Sequence, residues 1–187
     1  MNTQQTMADI TALFDRNGQE AYYGEDVTQL QHALQCAHLA ERAGLDDEFI
    51  IAALLHDIGH LLPSDVAEEH MDGYGRVDHE KLAADYLRER GFSEKTAQLI
   101  EHHVNAKRYL VARNPDYLAN LSEASLQTLT FQGGPMSPEE AAAFEQNPFF
   151  HGILQMRRWD ELAKDTDALT PSLGHYLQVC ERFLNQA

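Results

Sequence analysis

A chain of 187 residues, 43% of them hydrophobic, is long enough to bury a sizeable core, and residues 1–187 read as a single domain. The formal net charge of −16 repels nucleic acid and anionic membranes and argues against both as partners, so any anion site must be built locally from the 14 Lys and Arg. No apolar run is long enough to span a bilayer, no leader pattern opens the chain, and Cys36 and Cys180 lie far apart in helical patterns; a cytoplasmic protein with buried free thiols is expected.

The periodicity is helical nearly throughout, with no strand-like alternation, repeat or linker. Residues 5–17 read as a short amphipathic helix ending near Asn17-Gly18, followed by a loop, Tyr22-Tyr-Gly-Glu25. A helix over 26–43 stops at Gly44, and Asp46 or Asp47 caps the next, which runs to Gly59. Pro63 to Gly75 is polar and reads as a loop or broken helix. A helix over 77–90 ends at Gly91, and Ser93-Glu94 starts another that carries His102-His103. The pattern resumes after Pro115, stops at Gln132-Gly-Gly-Pro135, and restarts at Ser137-Pro138, with Ser as cap and Pro in the first turn. One further helix runs from about Pro148 through Trp159-Asp160, and the last covers Ser172 to Leu184. The fold class is all-α, a helical bundle.

That bundle is organised around Ile50-Ile-Ala-Ala-Leu-Leu-His-Asp-Ile-Gly-His60, an apolar helix ending in adjacent His56 and Asp57. Burying both costs of order several kcal/mol unless each finds a partner, and a divalent metal suits both. Other His and Asp residues lie in or beside apolar faces of successive helices: His32, His79, His102-His103 and Asp160. His38, His70, His151 and His175 fit no such pattern and read as ordinary polar residues, while Trp159 and Phe149-Phe150 read as core.

The order and spacing of these residues resemble the HD-domain superfamily of metal enzymes over roughly residues 20–165. A mononuclear site of that superfamily needs His32, His56, Asp57 and Asp160. The extra His79 and His103 match its dinuclear branch, with Asp57 as the bridge. His102 is the alternative to His103, which is preferred because it places Lys107 one turn on. By the same helical rule His60 lies one turn after His56, and Arg157 one turn before Asp160. Three residues able to bind an anion should therefore face the metals from three helices, and the substrate should carry a phosphate or phosphonate.

Two reaction classes fit: hydrolysis by a dinuclear HD phosphohydrolase or phosphodiesterase, and oxygenation by a mixed-valent diiron pair. Many hydrolytic members carry Lys where this chain has His60. His56-Asp-Ile-Gly-His60, His103-Val-Asn-Ala-Lys-Arg-Tyr109, and Tyr22-Tyr-Gly-Glu25 ahead of Gln29-Leu-Gln-His32 are similar to the PhnZ/TmpB-like HD-domain diiron oxygenases, which cleave phosphonate C–P bonds. The resemblance implies two iron ions, Fe2+/Fe3+, held by His32, His56, Asp57, His79, His103 and Asp160, with O2 as co-substrate. It implies that Asp57 and His60 serve catalysis, that His60, Lys107, Arg157, Ser125 and Thr128 hold the phosphonate, and that Tyr22 and Glu25 form a substrate-responsive gate. Whether Tyr22 or Tyr23 gates stays open. The implied substrate is a 1-hydroxy-2-(trimethylammonio or amino)ethylphosphonate, made by a preceding hydroxylase. Dioxygen would oxidise C1, giving inorganic phosphate with glycine betaine or glycine.

Overall fold

The apolar stretch at residues 50–55 becomes the centre of the molecule. In the computed structural model, which describes residues 2–22, 24–63, 71 and 75–186, every side chain from Ile50 to Leu55 is buried. Full burial of one Leu or Ile side chain contributes about 1.5–3 kcal/mol, so this helix is the main hydrophobic anchor of the fold. It is α3 (Asp47–Leu55), and it is preceded by α1 (Thr3–Asn17) and α2 (Gln29–Arg42). After it come α4 (His79–Arg88), α5 (Glu94–Glu101), α6 (His103–Arg113), α7 (Pro115–Ala119) and α8 (Glu123–Phe131). The last three are α9 (Pro138–Phe144), α10 (Phe150–Leu162) and α11 (Leu173–Leu184). α3 packs against α2, α5, α10 and α11. Among the described residues there is no strand, Ala21 and Thr28 form an isolated antiparallel bridge, and no helix is long and apolar enough to cross a membrane.

Several boundaries differ from those read in the sequence. The helix expected from residue 26 starts at Gln29, because Thr28 caps it in a reciprocal box with Gln31. Asp46, not Asp47, caps α3, accepting from Phe49 N. The helix expected to reach Gly59 ends at Leu55 and is followed by a 3-10 turn over Ile58–His60. That turn presses on the start of α4: a Cβ on Gly59 would lie 1.9 Å from the His79 carbonyl oxygen. Only glycine permits the approach that sets His56-Asp57 beside His79. The helix expected to carry His102-His103 breaks between them, with His102 ending α5 and His103 opening α6. The expected helix over 77–90 is His79–Arg88, and the pattern after Pro115 divides into α7 and α8, because Ser122 caps a fresh helix. Most of the loop from Pro63 to Gly75 lies outside the described residues.

Cys36 and Cys180 are buried free thiols. Trp159 is buried in the core, with Phe149 and Phe150 packed against it. His151 is exposed, His38 half-buried near Glu41, and His175 pairs with Glu41 at 2.7 Å on the surface; His70 lies outside the described residues.

Candidate metal centre and anion pocket

Five elements deliver six side chains to one point. His32 comes from α2, His56 and Asp57 from the end of α3, His79 and His103 from the first residues of α4 and α6, and Asp160 from α10. All six are buried. The Asp57 carboxylate is shared between two groups of nitrogens. Its Oδ2 lies 3.2 Å from His56 Nε2 and 3.6 Å from His32 Nε2, and Asp160 Oδ1 lies 3.4 Å from the same His32 nitrogen. Its Oδ1 lies 3.3 Å from His79 Nε2 and 3.6 Å from His103 Nε2.

Each imidazole is oriented from behind by a main-chain carbonyl. His32 Nδ1 donates to Ala163 O at 2.9 Å, His56 Nδ1 to Ala53 O at 3.0 Å, His79 Nδ1 to Arg76 O at 3.0 Å, and His103 Nδ1 to Ile100 O at 2.7 Å. A neutral ring that donates from Nδ1 turns a lone pair inward at Nε2. The inward pairs stand close together, His32 to His56 at 3.1 Å and His79 to His103 at 3.2 Å, and buried Asp57 Oδ2 has no hydrogen-bond partner. Lone pairs facing lone pairs and an orphaned carboxylate oxygen need positive charge between them. Burial opposes a proton on His56, yet the Asp57 carboxylate outweighs it and lifts the imidazole to about 9. Burial, helped by the neighbouring His56 and His79 and only partly offset by Asp57, pushes His103 down to about 3. Two divalent cations would satisfy every inward atom at once, so the cluster could hold a dinuclear metal site, and N/O donors of this kind suit iron. Cys36 Sγ lies 3.8 Å from His32 Nε2, but burial and the nearby carboxylates keep its thiol protonated.

A pocket opens above the cluster, lined among others by Tyr22, Glu25, His60, Lys107, Ser125, Thr128, Arg157 and Lys164. Two of its cations, Lys107 and Arg157, are buried. Lys107 donates to Thr128 Oγ1 at 2.7 Å and to Ser125 O at 3.4 Å, and burial beside the Arg157 charge brings its ammonium down to about 7. Arg157 donates from Nη1 to Asp160 Oδ2 at 2.5 Å and from Nη2 to Ser125 Oγ at 3.4 Å. Its Nε is held by Tyr117 and Glu161 at 3.1 and 2.8 Å. His60 stacks on His79 with ring centroids 3.9 Å apart, and its Nδ1 accepts the Arg76 N–H at 3.1 Å, which puts the ring proton on Nε2. Burial holds His60 neutral.

The Tyr22–Glu25 loop closes one side. Glu25 N–H donates to Tyr22 O at 2.8 Å across a turn in which Gly24 has φ 76°, a conformation that favours glycine. The Tyr22 ring stacks on His32 at 3.9 Å, and its hydroxyl donates to Asp160 Oδ1 at 3.3 Å. Tyr23, the other tyrosine considered as a gate, lies outside the described residues. The structure thus brings together all the candidate ligands and pocket residues named from the sequence. His102, the alternative to His103, turns away to Asn105 at 2.9 Å.

Sequence reading missed Tyr117, Glu161 and Lys164. Glu161 follows Arg157 by one turn, a signal that was available. Lys164 follows Asp160 by four residues but lies beyond the end of α10, where helical spacing no longer predicts a shared face.

Residues 30–140 match the family model described as the HD domain, and the chain belongs to the HD-domain family. Within that family, two relatives with assigned activities act on phosphonates. One is 1-hydroxy-2-(trimethylamino)ethylphosphonate dioxygenase (glycine-betaine-forming) of Leisingera caerulea, 42% identical over 177 residues, 95% of this chain and 89% of the relative. The other is hydroxymethylphosphonate dioxygenase of Gimesia maris, 43% identical over 180 residues, again 95% and 89%. An uncharacterized protein of Acanthamoeba polyphaga mimivirus is 40% identical over 183 residues, 98% of this chain and 84% of the relative.

Proposed function

We propose that this chain is a mixed-valent diiron oxygenase of organophosphonate catabolism. It uses O2 to cleave the C–P bond of a 1-hydroxyphosphonate, releasing inorganic phosphate and a carboxylate. The observation that carries this reading is the division of one Asp57 carboxylate between two nitrogen groups, directly beneath a pocket holding buried Lys107 and Arg157. Asp57 and Asp160 with His32 and His56 would hold one iron, and Asp57 with His79 and His103 the other. When bound, the iron pair supplies oxygen activation and a Lewis acid for the substrate hydroxyl.

The side chains of the pocket position the substrate. Arg157 spends one N–H of Nη1 on Asp160 and one of Nη2 on Ser125, leaving a second on each for phosphonate oxygens. Lys107 adds a point charge that Thr128 and the Ser125 carbonyl hold in place. His60 contributes an Nε2–H donor fixed by its stack on His79. Together they neutralise a phosphonate dianion inside an otherwise acidic protein. Tyr22, lying over His32 and bonded to Asp160, fits the gating role and must move for substrate to approach that side. In the overall reaction C1 loses a hydrogen and its bond to phosphorus. C1 and phosphorus each gain one oxygen from O2, which accepts four electrons from C1.

Glu25 in the pocket wall could receive an ammonium or trimethylammonium head group, with glycine or glycine betaine as product, where its ion pair with Lys164 gives way. The Gimesia maris relative is named for a phosphonate that has no head group. A 1-hydroxy substrate requires a hydroxylase to precede this step, and the reading places the enzyme in the cytoplasm. Phosphorus NMR on iron-loaded protein tests the reaction class. Phosphate should appear from 1-hydroxyphosphonates in air and not under argon. Phosphate release from phosphate esters under argon, with other divalent metals, would favour the dinuclear phosphohydrolase instead.

A further inference from the structure

The loop after α10 brings a third cation to the pocket, and its backbone is clamped on both sides. Ala163 O accepts the Nδ1–H of His32 at 2.9 Å. Asp165 is gripped by Gln35, its N–H donating to Oε1 at 3.0 Å and its carbonyl accepting from Nε2 at 3.0 Å. Lys164 sits between these anchors, so its position relative to α2 is fixed by main-chain bonds. From there its ammonium reaches Glu25 Oε1 at 2.5 Å and Ser122 Oγ at 3.2 Å. Three segments distant in sequence meet at this one bond.

The pair is largely shielded from water: the side chains of Lys164 and Glu25 are only 19% and 15% exposed. Both line the pocket. Breaking such a pair leaves a poorly solvated charge without its partner, which is more costly than losing a screened surface ion pair. Lys164 already occupies Glu25 Oε1, so a cationic head group reaching Glu25 would share the carboxylate with another cation or force the Lys164 ammonium out of the clamp. A substrate that ends at C1 meets none of these obstacles.

We propose that Lys164 is a specificity-determining residue, which neutralises Glu25 in the pocket wall and so biases the chain toward 1-hydroxyphosphonates without a cationic head group, hydroxymethylphosphonate being the smallest. The proposal rests on the oxygenase reading above. With that substrate dianion, one molecule of O2 gives formate and dihydrogenphosphate: one C–H bond and the C–P bond break, and the hydrogen released from C1 ends as a proton on phosphate.

The test uses iron-loaded full-length protein and three compounds: hydroxymethylphosphonate, (R)-1-hydroxy-2-aminoethylphosphonate and its trimethylated analogue. Binding is measured by titration calorimetry under argon, and phosphate release by phosphorus NMR in air. The wild type should favour hydroxymethylphosphonate over both cationic compounds by about tenfold or more in affinity and in kcat/KM. Lys164→Ala should shrink that preference by about tenfold, and Lys164→Met, which keeps the stem but not the charge, should do the same. If the wild type binds the trimethylated compound most tightly, or if both variants keep the wild-type ranking, Lys164 does not set specificity. Selective binding that responds to Lys164, with no phosphate from any compound in air, would sustain the role of Lys164 while removing the oxygenase reading. Binding of none of the three would remove both.

Discussion

At the floor of the pocket four histidines are each anchored by a main-chain carbonyl, at 2.7 to 3.0 Å. In its wall the charged groups are anchored mainly by other side chains: Lys107 by Thr128, Arg157 by Tyr117, Glu161 and Asp160, Glu25 by Lys164. The floor is carried by α2, α3, α4, α6 and α10 around the core. Much of the wall comes from the short helix α8 and from loops, with Tyr117 of α7 holding Arg157 from behind. A carbonyl within a packed helix end cannot be mutated away and moves only if the helix moves. A side-chain anchor can be changed by one substitution. The floor is therefore suited to one fixed chemistry, and the wall to varying what is presented to it.

This contrast can be broken first at Asp57. Asp57→Ala removes the carboxylate common to both halves of the floor, and we expect turnover to vanish and metal analysis to show loss of iron. Full iron content in that variant would mean that Asp57 does not bridge. Gly59→Ala attacks the floor without touching a ligand. Its Cβ would collide with the His79 carbonyl, and overpacking of this kind costs about 1–3 kcal/mol, visible as a lower Tm. An unchanged Tm would show that the 3-10 turn and α4 can separate freely.

Metal loading sharpens the comparison from the floor. With His56 lifted to about 9 in the metal-free cluster, iron must displace a proton, so its affinity should fall as pH drops below that value. A flat profile in competition with a chelator would contradict that.

The wall should give smaller, graded effects. Lys107 lies near 7, so its charged fraction falls as pH rises through neutrality. KM for a phosphonate should therefore climb above pH 7, by up to about tenfold per unit. Lys107→Arg, charged throughout, should flatten that rise; a persistent slope in the variant would assign the titration to another group. Smallest of all, Glu25→Ala should weaken use of cationic phosphonates by about tenfold or less, read as kcat/KM. An unaffected value would take Glu25 out of head-group recognition.

Much of this site was legible because helices convert spacing into direction. His56 and His60, His103 and Lys107, and Arg157 and Asp160 are each about one turn apart, and all six lie at the cluster or its pocket. The boundaries were less legible. Nothing in His102-His103 announces a helix break between them, yet that break points His103 inward and His102 toward Asn105. Lys164 was invisible for the same reason: beyond Leu162 there is no helical period to extrapolate.

By itself the sequence determined the all-α class, the apolar helix at the centre and the residue types of a metal cluster, since periodicity and the cost of burying His and Asp are local properties of the chain. Only the tertiary structure decided how Asp57 is divided between two sets of nitrogens, which carbonyl orients each imidazole, and that Glu25 meets a lysine 139 residues away. Those contacts join segments whose separation carries no periodic signal, and they exist only once the helices have packed.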